Sequence, residues 1–372
     1  MKIRKLIMTF MTIGVVMFTS CKKEEIIELT KNYTIETVEI GGVVYSKLSG
    51  TVDENLTLTN DRYWMLSGGV IVSNGVTLTV EVGTNIIADE STTAFLSIQQ
   101  GSKINAVGTS TNPIVFTSPS QVPGSWGGII INGYANINTG ITAEGEGGTG
   151  IYGGNNDYDN SGTIIYVRVE YAGKILGTDN ELNGFSFNGV GNGTTVDYIE
   201  AYKGADDGIE FFGGTVNVSH AVSIDNGDDS FDWTHGWRGT GEYWFAEQLT
   251  QGDRGIEADN NGDDNTATPY SNPTLSKVTL IGFNDDGLNS GMRLREGTKG
   301  NISDVLIYNF PSNGIKVSEQ ITIDNMNNSE LIVTNSNVYN NGTNFNGCSV
   351  FQSNNDGTSN GSGTDWMLNW VK

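Results

Sequence analysis

The sequence has few of the residues on which disulfides and many metal sites depend. Its 372 residues include two cysteines, two histidines and six prolines. Cys21 follows a signal-like N-terminus, which leaves Cys348 as a lone cysteine that cannot form an intramolecular disulfide. The apolar neighbours of Cys348 predict a buried, inert thiol. Because His220 and His235 are the two histidines, a histidine-rich metal site is excluded.

Basic residues are also scarce. The chain has 20 Lys and Arg against 43 Asp and Glu, a formal net charge of −23. Phosphate contacts require Lys and Arg, so this balance excludes nucleic acid as a partner and disfavours direct contact with anionic polymers. It is compatible with divalent cations or neutral sugars, and equally with the simple need of an extracellular surface for solubility.

The first 20 residues predict an export signal. A short basic region precedes an apolar run, residues 6–18, which is too short to span a membrane. The small residues before Cys21 resemble a bacterial lipobox, and "CKKEE" resembles the export signal of Bacteroidetes surface lipoproteins. The resemblance implies lipidation at Cys21, carrying palmitate, and display on the outer membrane with the lipid as the membrane contact. The alternative is a plain secretory signal.

Long helical periodicity is missing after residue 50, where short runs of Val, Ile, Thr, Phe and Tyr alternate with Gly, Asn and Asp. One phrase recurs every 22 to 32 residues. Its copies are "NGFSF" at Asn183, "DGIEF" at Asp207, "DSFDW" at Asp229, "RGIEA" at Arg254, "DGLNS" at Asp286 and "NGIKV" at Asn313. This repeat predicts an all-β, right-handed parallel β-helix over residues 50–372, behind a tether and lead-in segment of residues 21–49.

The alternation within each copy assigns side chains to the inside or the outside of the predicted coils. The predicted inward residues are Ile209, Phe211, Phe231, Trp233, Ile256, Leu288, Ile315 and Val317. The predicted outward column is Ser186, Glu210, Asp232, Glu257, Asn289 and Lys316. Two corner columns are predicted as well, the first Asp206, Asp228, Asp253 and Asp285, the second Asn183, Asp207, Asp229, Arg254, Asp286 and Asn313.

The acids of these columns have different explanations. Corner aspartates can accept hydrogen bonds from backbone N–H groups. Glu210, Asp232 and Glu257, by contrast, are stacked at strand spacing, where like charges destabilise a sheet. Either they fan out into solvent, or a cation, a shared proton or a bound ligand offsets their repulsion.

Two family resemblances bear on these residues. Segments such as "LTVEVGTNIIA", "PGSWGGIIING" and "ADDGIEFFGGTVN" resemble the right-handed β-helix lipoproteins of Bacteroidetes, a group that implies the fold but no activity. "ADDG", "GDDS" and "THGW" are similar to the acids and His-Gly of polygalacturonase-type glycoside hydrolases. That likeness implies catalytic roles for Asp207, Asp228, Asp229 and His235, although the Arg-Ile-Lys element of that family is absent. Glu210 and Asp232 would be the neighbouring carboxyls.

Aromatic and polar residues beside these acids suggest how a ligand is held. Trp237, Tyr243 and Trp244 lie in or near a glycine-rich stretch, where their rings can stack on sugars. Arg238, with acids such as Asp232 and Glu257, would then bind sugar hydroxyls. The alternative is that the rings pack this stretch onto the β-helix.

A second acidic stretch, "DNNGDDNTATP", makes calcium a candidate cofactor. It offers Asp259, Asn261, Asp263 and Asp264 as oxygen ligands in a flexible loop. It lacks the EF-hand spacing, so a solvated acidic loop is the alternative.

The sequence leaves three classes of function open. The first is a monomeric surface lipoprotein that binds an extracellular glycan or surface polymer. The second is a β-helix polysaccharide hydrolase or lyase that uses stacked carboxylates. The third is a structural or adhesive surface protein. At the C-terminus, Trp366 and Trp370 predict a cap over the last open coil.

Overall fold

The computed structural model of the chain describes residues 31–177, 180–283 and 287–372. The predicted signal, the lipidation site Cys21, and Asp285 and Asp286 of the corner columns lie outside the described residues. In the part that is described, no helix is long and apolar enough to cross a membrane.

Strands dominate the described residues. The N-terminal strands are β1 Tyr33–Ile40, β2 Val43–Val52, β3 Leu56–Leu58, β4 Tyr63–Val72, β5 Thr77–Val80, β6 Asn85–Ala88, β7 Phe95–Ile98, β8 Lys103–Val107, β9 Ile114–Thr117, β10 Ile129–Asn132, β11 Ala143–Glu144, β12 Ile151–Tyr152, β13 Gly162–Glu170, β14 Ile175–Gly177 and β15 Asn180–Glu181. The later strands are β16 Phe185–Asn188, β17 Thr195–Tyr202, β18 Ile209–Phe212, β19 Asn217–Ile224, β20 Phe231–Thr234, β21 Thr240–Glu247, β22 Arg254–Ala258, β23 Thr274–Ile281, β24 Ser290–Leu294, β25 Gly300–Tyr308, β26 Asn313–Val317, β27 Leu331–Tyr339 and β28 Thr343–Asn346. The helices are α1 Gln320–Asn327, α2 Ser349–Ser353 and the 3-10 turns Glu146–Gly148 and Asp365–Met367.

These strands form a parallel β-helix with three faces per coil. Face A is built from the short strands β10, β16, β18, β20, β22, β24, β26 and β28, which pair in parallel from coil to coil. Faces B and C are the first and second halves of the long strands β13, β17, β19, β21, β23, β25 and β27. The predicted fold class is therefore confirmed.

A single left-handed residue makes the corner between faces B and C in each of seven coils. Its φ angle lies between 47° and 56° in most coils and reaches 60° at Tyr243. The residues are Tyr166, Tyr198, His220, Tyr243, Lys277, Asp304 and Asn335. Residues with side chains rarely adopt this conformation, and here the paired half-strands on both sides hold it in place.

The core is a stack of apolar side chains that point inward from all three faces. Phe211, Phe231, Trp233 and Ile256 are fully buried, as the alternation predicts. The inward prediction is wrong at Leu288, which is 82% exposed. The coil that contains it is longer, so the face A strand begins later and Met292 takes the inward position beside Ile256.

The two ends of the described chain differ from the prediction. The β structure starts at Tyr33, because β1 and β2 pair as an antiparallel hairpin within the predicted lead-in. At the other end, α2 follows the last coil and inserts Phe351 into the core.

The C-terminal strap, residues 354–372, then runs back along the corner between faces B and C. Ser362 donates its N–H to Thr279 Oγ1 at 2.9 Å, and Arg168 donates to the Trp370 carbonyl at 3.2 Å. The prediction that Trp366 and Trp370 cap the last coil is therefore wrong. Phe351 already fills that end of the core, whereas the corner offers aromatic rings against which the tryptophans pack.

Candidate functional site

Three acidic side chains stand in register on the outer surface of face A. Parallel pairing of β18, β20 and β22 places Glu210 beside Asp232 and Asp232 beside Glu257. We call these three residues the acidic ladder. The predicted column is confirmed for them, but its next member is Arg293, not Asn289, because β24 starts later than predicted. Lys316 follows Arg293.

The corner aspartates next to the ladder support the backbone. Asp207 Oδ1 accepts the N–H of Asp229 at 2.8 Å, and Asp229 Oδ1 accepts the N–H of Arg254 at 2.6 Å. Each of these carboxylates thus stabilises the turn of the next coil through a backbone N–H, which is the architectural role expected of a corner aspartate. Asp206 is half-buried and Asp228 is exposed beside them.

Asp232 lies where two groups of carboxylates meet. One oxygen each from Asp207, Glu210 and Asp232 lie within 4.8 Å of one another, and the same holds for Asp229, Asp232 and Glu257. Asp232 Oδ1 is inaccessible and accepts no hydrogen bond from any described residue. Because a buried polar atom ordinarily has a partner, this oxygen indicates a missing cation or donor.

Burial and mutual repulsion raise the pKa of these acids. For Glu210, burial is the main cause, followed by the charges of Glu146 and Asp232, and the pKa lies well above its usual value. For Asp232, burial raises the pKa strongly, and the charge of Asp259 adds to it. Burial followed by the charge of Asp232 does the same for Asp207. These three carboxyls therefore hold their protons more tightly than isolated carboxyls do, and a bound cation would compete with those protons.

The other end of the acidic ladder is compensated by arginines. Glu257 Oε1 lies 3.3 Å from Arg254 Nε and 3.5 Å from an Arg293 guanidinium nitrogen, and Glu257 Oε2 contacts Arg295. Arg295 also pairs with Asp259 at 2.7 Å. Repulsion is thus concentrated at Asp232 and Glu210, for which the described residues supply no ion pair within 4 Å.

A long loop forms a wall beside the ladder. This wall loop, residues 133–161, connects face A of one coil to face B of the next. Arg238 Nη2 donates hydrogen bonds to both carboxylate oxygens of Asp157, a residue of the wall loop, at 2.6 Å. Asn138 of the same loop donates to Asn260 Oδ1 at 2.9 Å. Arg238, predicted to bind a ligand, instead holds the wall loop on the β-helix.

The wall loop and face A enclose a cavity of about 160 Å³ that is lined by Glu144, Gly145, Glu146, Tyr152, Phe212 and His235. The Tyr152 hydroxyl lies 3.2 Å from His235 Nδ1, and burial lowers the His235 pKa to about 4, so the imidazole is neutral at neutral pH. Burial and then the charges of Asp206 and Glu181 raise the Glu146 pKa to about 8. His235 thus faces the cavity, with Tyr152 as its hydrogen-bond partner.

Asn183 connects this cavity to the acidic ladder. Its Nδ2 lies 2.5 Å from Glu210 Oε2 and 3.4 Å from Glu146 Oε2. Sequence reasoning missed Glu146 and Tyr152, because the wall loop lies outside the repeat and its acids follow no period. The glycine-rich "EGEGGTG" within a long insertion between repeats is the signal that could have marked it.

Two of the predicted sugar-stacking rings belong to the core. Trp237 and Trp244 are fully buried, and their indole N–H groups donate to the carbonyls of Val216 and Val218. The glycine-rich stretch is a coil corner leading into β21, so the rings turn inward. Tyr243 lies on the outside but stacks on His220 at 4.8 Å, beneath Trp366 of the strap.

The predicted calcium loop uses its oxygens internally. Asn261 Oδ1 accepts the N–H groups of Asp263 and Asp264, and Asp264 Oδ1 accepts from Thr266. Asp259 pairs with Arg295. Asp259, Asn261 and Asp264 thus each use an oxygen in a contact within the protein. Among the described residues, every carboxylate group able to surround a cation involves the acidic ladder or its corner aspartates.

Comparisons with known proteins bear on the fold. A family model described as "Pectate-lyase like beta helix domain" matches residues 50–371, which is most of the chain. No curated protein and no solved structure matches the sequence.

Proposed function

The chain belongs to the family of pectate-lyase-like beta helix domains, and from this premise we propose that its acidic ladder binds a glycan with the help of calcium. The observation that carries the proposal is the convergence of Asp207, Glu210 and Asp232, whose carboxylate oxygens lie within 4.8 Å of one another. The fold alone implies no such role.

The chemistry of these three carboxylates suits calcium. Calcium binds carboxylate oxygens at about 2.3 to 2.6 Å, so two ligands on opposite sides of the ion lie roughly 5 Å apart. A bound cation would remove the repulsion along the ladder and supply a partner for Asp232 Oδ1. It would also compete with protons for these carboxylates, because a metal ligand must be deprotonated.

The surroundings of the ladder suit a sugar chain. The wall loop closes one side, and its cavity combines the rings of Tyr152 and Phe212 with the polar groups of Glu144, Glu146 and His235. Such a mixture of a flat apolar surface and a few polar groups is typical of sites that orient small polar ligands. A calcium ion that keeps open positions can accept sugar hydroxyls as ligands.

The N-terminal sequence supports a cellular location for the proposed glycan binding. The basic region, the apolar run and the small residues before Cys21 favour a lipid anchor on the outer membrane, with the β-helix outside the cell. Incorporation of labelled palmitate into the wild type but not into Cys21→Ala tests the anchor, and equal labelling of both would contradict it.

A glycan panel tests the proposed binding. The wild type is applied to immobilised glycans in millimolar calcium and again in chelator, with Asp232→Asn as the variant and Asp264→Asn as the matched control. We expect calcium-dependent binding that Asp232→Asn loses and Asp264→Asn keeps. Calcium-independent binding would contradict the cation, and no glycan binding in either buffer would favour the structural or adhesive alternative.

Glycoside hydrolysis is a second candidate, favoured by Glu146. Its raised pKa of about 8 keeps it protonated at neutral pH, and it lines the cavity and shares the Asn183 side-chain amide with Glu210. A protonated carboxyl can give its proton to a glycosidic oxygen while a second carboxylate acts as nucleophile or base. A reducing-sugar assay on the same panel tests this. Release that Glu146→Gln abolishes supports hydrolysis, and release that the variant retains excludes Glu146 as the acid.

A further inference from the structure

The hairpin of β1 and β2 ends in a turn that none of the described residues covers. The turn is formed by Gly41 and Gly42, whose φ angles are 59° and 83°. Beyond its chain neighbours, a methyl group on either glycine would meet no atom of the described residues within 4 Å. A partner outside the chain can therefore approach this end of the hairpin.

One face of the hairpin is apolar next to the turn. Ile40 pairs with Val43 beside the turn, and Val38 pairs with Tyr45 two positions further back. Parallel pairing of β2 with β4 then places Tyr63 beside Tyr45, with the two rings 5.9 Å apart. Ile40, Val43 and Tyr63 are between 36 and 53% exposed. We call these five residues the hairpin patch, because a contiguous exposed apolar group indicates a surface for a partner.

Charged residues surround the hairpin patch in balanced pairs. On the same face of the hairpin, the first charges behind the patch are those of Glu36 and Lys47, which pair with each other at 3.3 Å. Arg62, at the edge of the patch, pairs with Asp61 at 3.0 Å. Glu39 lies on the opposite face of the hairpin, because side chains alternate along a strand. The patch is thus locally neutral in a chain whose net charge is −23.

We propose that the hairpin patch docks on a lipid bilayer, with Ile40 and Val43 inserted among the acyl chains and the two tyrosines at the level of the headgroups. Tyrosine is enriched at membrane interfaces, because its ring is apolar while its hydroxyl can remain hydrated. The transfer of apolar side chains from water to acyl chains supplies the driving force. Docking therefore requires no anionic lipid.

The place of the hairpin in the chain argues for a membrane as the partner. Since β1 begins about twelve residues after Cys21, a lipid on Cys21 would hold the hairpin within about 40 Å of the bilayer. A second copy of the chain would instead bring another net charge of −23 to the same place, and this repulsion disfavours it. The inference rests on the proposed lipid anchor for its choice of partner. It adds a second contact, which would fix how the β-helix stands on the membrane.

A fluorescent label on the patch tests the inference. Cys348 is buried, and burial raises the pKa of its thiol to about 12, so a dye attaches to an introduced cysteine instead. The full chain carries a polarity-sensitive dye at Ile40→Cys or, as the control, at Ile141→Cys, where the native side chain is 80% exposed on the wall loop. Both are reconstituted into phosphatidylcholine vesicles with and without spin-labelled acyl chains. We expect the spin labels to quench the dye at position 40 by about twofold or more and the dye at position 141 hardly at all.

A second substitution shows whether the apolar side chains cause the insertion. Val43→Asn, introduced beside the dye at position 40, should reduce the quenching because it places a polar group among the acyl chains. Val122→Asn, at an exposed valine elsewhere on the surface, is the matched control and should leave the quenching unchanged. Equal quenching at positions 40 and 141, or quenching that Val43→Asn does not alter, overturns the docking.

Dye uptake by the wild type separates this inference from the anchor on which it rests. A lipidated Cys21 has no free thiol and takes up no dye, so labelling at Cys21 would contradict the anchor. The dye at position 40 is then measured in Cys21→Ser mixed with the same vesicles. Quenching there supports docking by the patch alone, and its absence overturns it. A blue shift that grows with protein concentration without vesicles would identify a second copy as the occupant and overturn the proposal.

Discussion

Two ladders of outward side chains run along this β-helix with the same rise per coil and opposite chemistry. The aromatic ladder, at the corner of faces B and C, stacks Tyr166 on Tyr198 at 4.3 Å and Tyr198 on His220 at 4.1 Å. The acidic ladder stacks carboxylates on face A. The strap covers the aromatic ladder, whereas the acidic ladder lies beside the wall loop.

The difference in chemistry between the two ladders shows which of them is explained by the stability of the fold. Stacked rings attract one another and bury apolar surface, so their repetition stabilises the coil in which it occurs. Stacked carboxylates repel, and burial adds a desolvation cost. A repeat that stabilises the fold requires no other explanation, whereas a repeat that destabilises it indicates a ligand. We therefore assign the aromatic ladder to stability and the acidic ladder to function.

The largest effect is expected at the strap. Trp370 is fully buried against Tyr166 and Tyr198, so Trp370→Ala should lower the free energy of unfolding by about 3 to 5 kcal/mol. Denaturant titration measures it. Leu368→Ala, at a residue of the same strap that is 67% exposed, is the control and should change little. Equal effects would mean that the strap does not stabilise the aromatic ladder.

A smaller loss is expected where the acidic ladder meets the arginines. Glu257→Gln removes the charge shared by Arg254, Arg293 and Arg295. It should lower the free energy of unfolding by about 2 kcal/mol in chelator, because half-buried guanidinium groups lose their counter-charge. A variant as stable as the wild type would show that this end of the ladder is not held by ion pairs.

The pH dependence of stability tests the raised pKa values of the carboxyls around the acidic ladder without a mutation. The folded pKa values of Asp206 and Asp259 are about 7 and that of Glu146 about 8, above the value near 4 of an unfolded carboxyl. The folded state therefore binds more protons between these limits, so stability is highest below about pH 4 to 5 and falls as pH rises to 8. Other groups add their own pH dependence.

We expect the Tm to fall by several degrees between pH 5 and pH 8 in chelator. Thermal unfolding across this range measures it. Calcium should flatten the curve, because the cation takes the place of the protons. A Tm that rises with pH in chelator would contradict the assignment of raised pKa values to the cluster.

The sequence predicted those parts of the molecule that depend on local period. Alternation within the repeated phrase placed Glu210, Asp232 and Glu257 in one outward column, since each side chain in a strand turns to the side opposite its neighbour. The same rule failed at Leu288, because the extra length of that coil shifted the start of β24 and no local signal marks the shift.

Long-range contacts could not be predicted. Trp370 packs on Tyr166, about 200 positions earlier in the chain, and Glu146, on a loop outside the repeat, shares the Asn183 side-chain amide with Glu210. Trp237 was misassigned because a glycine-rich corner and a glycine-rich surface loop have the same composition. Whether an aromatic residue packs inside or binds a ligand depends on the path of the backbone, which composition does not specify.

Thermal unfolding of Asp232→Asn with and without calcium tests the central claim most directly. In chelator, the variant should match or exceed the wild type, because it removes one charge from between two others. In millimolar calcium, the wild type should gain Tm with increasing concentration, as ligand stabilisation requires, whereas Asp232→Asn should gain little and Asp264→Asn as much as the wild type. If calcium raises the Tm of Asp232→Asn as much as that of the wild type, the acidic ladder does not bind the cation.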